Sequence, residues 1–192
     1  MDLAGIRAEI AKDPSNADLL KKGYLPVYSA STQSKIVIIA QAPSRKAQSS
    51  GIPWNDVSGD NLRHWLGVTK EQFYDDSLFA LLPVDFYYPG KAKHGDLPPR
   101  KDFAPLWHAR ILELMPEVRL TILIGQYAQR YYLKERKRNN LTETVRAYKS
   151  YLPRFFPLVH PSPLTGYWQS KNEWYEHNVL PFLRLQISKI IS

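Results

Sequence analysis

The sequence predicts an α/β protein: a three-layer α/β/α sandwich with a central four-stranded parallel sheet. Four short runs rich in β-branched and aromatic residues are typical of strands that are buried on both faces, as in parallel sheets. Helical segments separate these runs, and such alternation favours right-handed crossovers within one sheet. We therefore expect residues 1–192 to form a single domain, in which 1–34 supply an N-terminal helix and a lead-in segment.

The first half of the chain is predicted to contain two helices and two strands. Apolar residues at helical spacing predict a helix over 2–12, which ends at an Asp-Pro pair. The β-branched run at 35–40 predicts the first strand, and a second apolar run at 78–84 predicts another. Between them, a helix is predicted over 58–66, with Ser58 as its N-terminal cap.

The second half continues the alternation after an irregular segment at 85–98. A helix over 102–114 is predicted to turn Phe103, Leu106 and Trp107 toward the core. The remaining predicted elements are a strand at 120–124, a helix after Gly125, a helix at 141–150, a strand at 155–159 and a closing amphipathic helix at 171–190.

Composition limits the classes of function. The chain has no cysteine, which excludes disulfides, thiolate zinc sites and cysteine-held iron–sulfur clusters; we see no metal-ligand spacing and expect neither metal nor cofactor. The net charge of +8 favours a polyanionic partner, either nucleic acid or an anionic membrane surface. No apolar run approaches the roughly 20 residues of a membrane span, and no signal peptide is visible, so we expect a cytoplasmic protein.

Four loops are the candidates for a binding site. Ligands of parallel sheets bind at the carboxyl ends of the strands. In this chain those ends are followed by segments that begin at Gln41, Asp85, Gly125 and His160. We expect these segments to line one cleft.

The last of these loops is the most informative part of the chain. His160 and Ser162 each precede a proline, which locks its own φ and makes the preceding residue extended. The loop is therefore stiff, as an active site requires. The alternative interpretation is a histidine in an ordinary turn after an edge strand.

Three further segments suggest contacts with nucleic acid. Small residues at 40–44 let backbone amides approach a ligand, and Arg45 and Lys46 follow as partners for phosphate. Trp54 offers a flat face for a base, although core packing explains an indole equally well. The basic run at 134–138 has the ordinary alternative of a solvated surface.

Two of these segments resemble the signature motifs of the uracil-DNA glycosylase superfamily. Residues 160–164 read HPSPL, which is the second motif of the best-known branch, and 40–44 are similar to the start of its first motif, GQDPYH, or to GEAPG of an iron–sulfur branch. Further similarity lies at 51–54, 81–84 and 124–126. The resemblance implies a four-stranded parallel sheet and hydrolysis of the bond between a flipped base and deoxyribose.

The resemblance also implies roles for individual residues. His160 would hydrogen-bond the base carbonyl that gains negative charge, and Trp54 would stack on the extruded base. The segment Ala42, Pro43 and Ser44 would face the base and sugar. The segment Pro161, Ser162, Pro163 and Leu164 would contact phosphate or act as a wedge in the duplex.

The chain departs from the family pattern at the acidic residue. Ala42 matches the acid of GQDPYH, and Gln41 matches the glutamate of GEAPG. A glutamine positions water but cannot accept its proton. We therefore take Asp85 as the preferred catalytic acid beside Gln41. The other candidates are Asp56 and Asp60, for which capping of a turn or a helix start is the alternative.

Two more departures concern recognition of the base. The uracil-reading asparagine of the family falls near Pro83, which has no side-chain donor, and the tyrosine that rejects 5-methyl groups corresponds to Ser44. The main hypothesis is a monomeric, cofactor-free DNA glycosylase for a deaminated or damaged base. The alternatives are a catalytically impaired DNA-binding module and a hydrolase of small nucleosides.

Overall fold

Four parallel strands form the central sheet of this computed structural model, which describes residues 2–192. They are β1 (Ile36–Ile39), β2 (Phe79–Leu81), β3 (Leu120–Ile124) and β4 (Phe155–Leu158). Their order across the sheet is β2-β1-β3-β4, and every neighbouring pair is parallel. Helices cover both faces, so the predicted three-layer α/β/α class is confirmed.

Both faces of the sheet are buried, as the unbroken apolar runs predict. In β1, Ile36 and Ile38 belong to one hydrophobic core, and Val37 and Ile39 belong to the other. Successive side chains of a strand point to opposite faces, so one apolar run supplies both cores. Every residue of the four strands is buried, which holds their carboxyl ends at a common edge.

Ten α-helices surround the sheet within residues 2–192. They are α1 (Leu3–Lys12), α2 (Ala17–Lys21), α3 (Arg45–Ser50), α4 (Val57–Leu66), α5 (Lys70–Tyr74), α6 (Phe103–Leu112), α7 (Gly125–Leu133), α8 (Leu141–Arg146), α9 (Gly166–Ser170) and α10 (Leu180–Ile191). The sequence does not predict the short helices α2, α3, α5 and α9, whereas the equally short α8 falls within the helix predicted at 141–150.

Three details of the predicted elements are wrong. Asp56, not Ser58, caps α4, and its carboxylate accepts the Gly59 backbone N–H. Leu106 is 57% exposed, because α6 turns Phe103 and Trp107 inward along a narrower stripe. The closing helix begins later than predicted, since residues 171–173 are not helical, and a π-helical turn at Tyr175–Val179 leads directly into α10.

The N-terminal segment packs onto the rest of the chain through arginine contacts. Arg7 on α1 donates to the carbonyl oxygens of Pro26 (2.9 Å) and Tyr28 (2.6 Å), and its guanidinium lies 3.9 Å from the Tyr28 ring centroid. On the other side, Arg110 of α6 forms an ion pair with Glu9 at 2.6 Å. These contacts hold α1 against α6 and against the segment at 26–28.

A buried histidine supports the loop that follows β2. Nε2 of His108 lies 2.9 Å from the Pro83 carbonyl oxygen, and Nδ1 lies 2.6 Å from the Tyr132 hydroxyl. A carbonyl only accepts, so Nε2 carries the proton and Nδ1 accepts from Tyr132. Burial lowers the pKa of His108 to about 4, against the weaker opposing effect of the Pro83 hydrogen bond. The ring is therefore neutral at pH 7.

This buried histidine predicts a loss of stability in acid. Between about pH 6.5 and pH 4 the unfolded chain binds a proton at His108 that the folded chain excludes, so the free energy of unfolding falls as the pH falls. The lowered pKa of His108 corresponds to a change of about 3 kcal/mol in the free energy of unfolding across that pH window. Urea unfolding at several pH values measures the slope.

The matched variants are His108→Gln and His64→Gln, since His64 is an exposed histidine on α4. We expect His108→Gln to flatten the slope and His64→Gln to leave it unchanged. His160 adds to the slope in all three proteins, because burial lowers its pKa as well. Equal slopes in the parent and in His108→Gln would contradict this account.

Candidate active site

Loops from all four strands line one cavity of about 460 Å³ at the carboxyl edge of the sheet, which we call the first cavity. Gln41 follows β1, Pro83 follows β2, Tyr127 lies in α7 after β3, and His160 follows β4. The structure thus brings together the four loops that the sequence singles out. The volume of the first cavity lies within the usual range for ligand pockets, about 300–1,000 Å³.

An indole and an imidazole from distant parts of the chain meet in this cavity. The ring centroids of Trp54 and His160 are 5.8 Å apart, with an angle of 29° between the planes. Both residues line the first cavity. The site therefore contains an aromatic surface beside a nitrogen donor, which is the pairing that a planar heterocycle requires.

The backbone holds Trp54 in an unusual conformation. Its φ is +57°, a value that side-chain-bearing residues rarely adopt, and the cost is of order 1–3 kcal/mol. Gly59 makes this possible, because a Cβ atom there would lie 1.9 Å from the Trp54 carbonyl oxygen. The first turn of α4 thus fixes the position of the indole, and strain of this kind is common at functional sites.

Asp56 provides a rigidly held carboxylate in the lining of the first cavity. Its Oδ1 accepts the Gly59 N–H at 3.0 Å, and its Oδ2 accepts the Ser44 hydroxyl at 2.7 Å. Ser44 itself caps α3 by accepting the Ala47 N–H. The carboxylate is therefore held between the starts of two helices, α3 and α4.

The surroundings of His160 favour the uncharged form of its ring. Burial lowers its pKa below the usual value, and the negative charge of Asp56 opposes this shift only in part. Within the part of the chain that the structure describes, neither ring nitrogen has a hydrogen-bond partner. A neutral imidazole carries one N–H, so His160 can donate one hydrogen bond to a ligand in the cavity.

The structure argues against Asp85 as the catalytic acid. Its side chain is 1% exposed, and both carboxylate oxygens accept from the Arg100 guanidinium at 2.7 Å. The backbone N–H groups of Tyr87 and Arg100 complete its hydrogen bonds at 3.1 Å. Asp85 is not among the described residues that line the first cavity. Its carboxylate is thus committed to holding the segment after β2.

The other predicted site residues fall into two groups. Ala42 and Pro43 line the first cavity with Gln41, Ser44 and Ser162. In contrast, Arg45 and Lys46 are exposed on α3, outside this lining.

The loop after His160 is anchored at one end and free at its tip. Pro161 is buried, and its carbonyl oxygen accepts the Asn61 amide at 3.0 Å. Pro163 is exposed, and Leu164 is 91% exposed. The loop therefore presents an apolar tip beside the cavity.

Sequence reasoning missed several lining residues. Asp96 and Pro89 reach the first cavity from the segment after β2, and Gln126 joins Tyr127 from the start of α7. Asp96 accepts the Tyr88 hydroxyl at 3.1 Å and lies 3.9 Å from Lys91. The position of Gln126 directly after β3 is a signal that could have identified it, whereas nothing local distinguishes Asp96.

Within residues 2–192, no helix is both long and apolar enough to cross a membrane. No group of three or more His, Cys, Asp or Glu side chains in the same residues is placed to hold a metal ion.

A comparison with known families identifies the chain. The sequence profile of the family described as "Uracil DNA glycosylase superfamily" matches residues 26–184. This range contains all four strands, Trp54, Asp56 and His160. Members of the superfamily are generally glycosylase hydrolases that act on DNA. On the match over most of its length, together with the parallel sheet and the cavity at its carboxyl edge, the chain belongs to the uracil DNA glycosylase superfamily.

Proposed function

We propose that the protein is a monomeric DNA glycosylase that hydrolyses the N-glycosidic bond of a flipped, deaminated or otherwise altered base. The observation that carries this proposal is the convergence of Trp54, Asp56 and His160 in one cavity. An enzyme that works on a base must take it out of the stack and hold it in a pocket, where aromatic stacking replaces the lost contacts.

His160 stabilises the departing base. As the bond from C1′ to the base nitrogen breaks, its electron pair moves into the base and develops as negative charge on a ring carbonyl. A neutral imidazole N–H that is already in place stabilises this charge without reorganisation. The lowered pKa of His160 supports this role, since it keeps the ring neutral near pH 7.

Asp56 replaces Asp85 as the acid in this proposal. A water molecule attacks C1′, and its proton passes to the Asp56 carboxylate while the base leaves as an anion and is then protonated. The negative charge of Asp56 also stabilises positive charge on the sugar. Gln41 lines the same cavity and can orient the water, but cannot accept its proton.

The surface around the cavity suits DNA. The exposed tip at Leu164 provides a wedge that takes the place of the extruded base, with Pro161, Ser162 and Pro163 shaping the loop. Arg45 and Lys46 are exposed on α3 and add positive charge for phosphate. The formal net charge of +8 favours the same partner.

The base that is excised need not be uracil. Pro83 lines the cavity where the family pattern has an asparagine, so no amide reads the base from that position. Ser44 occupies the position of the bulky tyrosine and donates to Asp56 instead. Both changes leave more room and remove a uracil-specific contact, which supports a broader choice of bases.

The direct test is a screen of damaged oligonucleotides. Single- and double-stranded oligonucleotides that carry uracil, hypoxanthine, xanthine or an alkylated base are incubated with the protein and then cleaved with alkali. We expect strand cleavage at one or more of these bases. If none is released while DNA binding falls steeply with salt, the protein is a binding module instead. Activity confined to free nucleosides would indicate the small-molecule hydrolase.

A further inference from the structure

A second cavity of about 450 Å³ adjoins the first, and the lining residues that the two do not share take no part in the chemical step described above. The two cavities share four lining residues: Gln41, Gln126, Tyr127 and His160. A ligand that fills the first cavity therefore lies next to the second. The rest of the second lining is mainly apolar, and its large side chains are Leu141, Leu164 and Trp168.

Trp168 gives the second cavity a rigid aromatic wall. Its indole N–H donates to the Thr142 hydroxyl at 2.9 Å. The rings of Trp174 and Tyr175 pack against it at centroid distances of 5.8 and 5.3 Å, at angles of 81° and 77°. The indole is thus fixed in place, with its polar atom already satisfied. A fixed aromatic surface suits stacking of a base, because every base offers a flat face.

A third, smaller cavity of about 120 Å³ adjoins the second. It shares Gln126 and Leu141 with the second cavity. Its other lining residues include the exposed cations Arg130, Lys137 and Arg138. Two of these cations belong to the basic run at 134–138, for which the sequence alone favours a solvated face. This arrangement matches a nucleotide. Its base would lie in the aromatic second cavity, and its phosphate would lie at the cations of the third cavity.

We propose that the second cavity binds the nucleobase next to the excised one, on an unpaired strand whose phosphate reaches the cations of the third cavity. This inference rests on the proposed function, because the first cavity must hold the target nucleotide. Two adjacent bases are then both out of the stack. The protein should accordingly prefer single-stranded or locally open DNA over a closed duplex.

The test measures the affinity of single-stranded oligonucleotides for the protein. One oligonucleotide carries a single tetrahydrofuran abasic site, and two others carry a second tetrahydrofuran on its 5′ or its 3′ side. We expect removal of the neighbouring base on one side to weaken binding about 10-fold or more, and removal on the other side to have little effect. The sensitive side identifies the strand direction.

A variant that fills the cavity provides the control. Leu141→Trp replaces an aliphatic side chain of the second cavity with a bulky indole. Leu141 does not line the first cavity. We expect the affinities of this variant for the three oligonucleotides to agree within about threefold. Leu106→Trp introduces the same ring at an exposed position on α6 and should keep the wild-type difference. Trp168→Phe, which keeps a smaller ring, should reduce the difference.

The outcome separates this inference from the proposed function. The inference is overturned if the wild-type protein binds the three oligonucleotides equally, or if Leu141→Trp keeps the full difference. Affinity is the readout, so the result does not depend on base release. A neighbour-base effect without any base release would refute the glycosylase proposal and retain the second binding site.

Discussion

Replacing Asp56 with asparagine is expected to lower the rate of base release by about 10²–10⁴-fold, the usual contribution of a general base. Asparagine is also a good helix cap, so it can still accept the Gly59 N–H and keep α4 in place. It cannot take a proton from water or carry negative charge. The loss should therefore appear in the rate of the chemical step under single-turnover conditions, with DNA affinity little changed.

Asp60 offers a matched control for this substitution. It lies four residues further along α4, its side chain is 72% exposed, and it pairs with Arg63. Asp60→Asn removes the same charge from the same helix outside the cavity lining, so base release should be unchanged. The same assay on Gln41→Ala and Asp96→Asn compares the other polar groups of the first cavity. Full activity in Asp56→Asn, with a large loss in Asp96→Asn, would transfer the role to Asp96.

Replacing Asp85 with alanine is expected to destabilise the protein by about 3 kcal/mol. Loss of one partner of a buried ion pair typically costs 3–5 kcal/mol, because it leaves the other charge uncompensated. The lower end applies here, since the Arg100 side chain is 35% exposed and keeps its bond to the Asn16 side chain at 2.6 Å. Urea unfolding of the parent and the variant at pH 7 measures the difference.

A surface ion pair in the same segment provides the comparison. Asp96 lies 3.9 Å from Lys91, with side chains 39% and 74% exposed, and such pairs contribute about 0–1 kcal/mol. Asp96→Ala should therefore shift the unfolding midpoint far less than Asp85→Ala. Folded Asp85→Ala should still release bases at a rate near that of the parent. Parental stability together with a rate loss of 10²-fold or more would restore Asp85 to the chemistry.

The strands show what local pattern can predict. The run at 120–124 coincides with β3, and the predicted first and last strands extend only one or two residues beyond β1 and β4. Each run is apolar on both faces, and only a sheet covered on both sides buries such a run. The predicted second strand is longer than β2, although the backbone N–H groups of Leu82 and Val84 still donate to the carbonyl oxygens of Ile38 and Ala40 beyond its end.

The acidic residue shows where local pattern fails. Asp85 and Asp56 are both single aspartates near an apolar element, and no feature of the neighbouring sequence separates them. Arg100 lies 15 residues from Asp85 and decides that this carboxylate is buried in an ion pair. Ser44 lies 12 residues from Asp56 and holds the other carboxylate in the cavity lining.

By itself the sequence determined the layered fold and the edge of the sheet where the loops converge, because the hydrophobic period of each strand and helix is set by a few neighbouring residues. Only the tertiary structure decided that Asp56 and not Asp85 faces the cavity, and that a second cavity with Trp168 lies beside it. Whether a charged group is paired or left available depends on partners brought close by the folded chain, and the spacing of residues along the sequence does not contain that information.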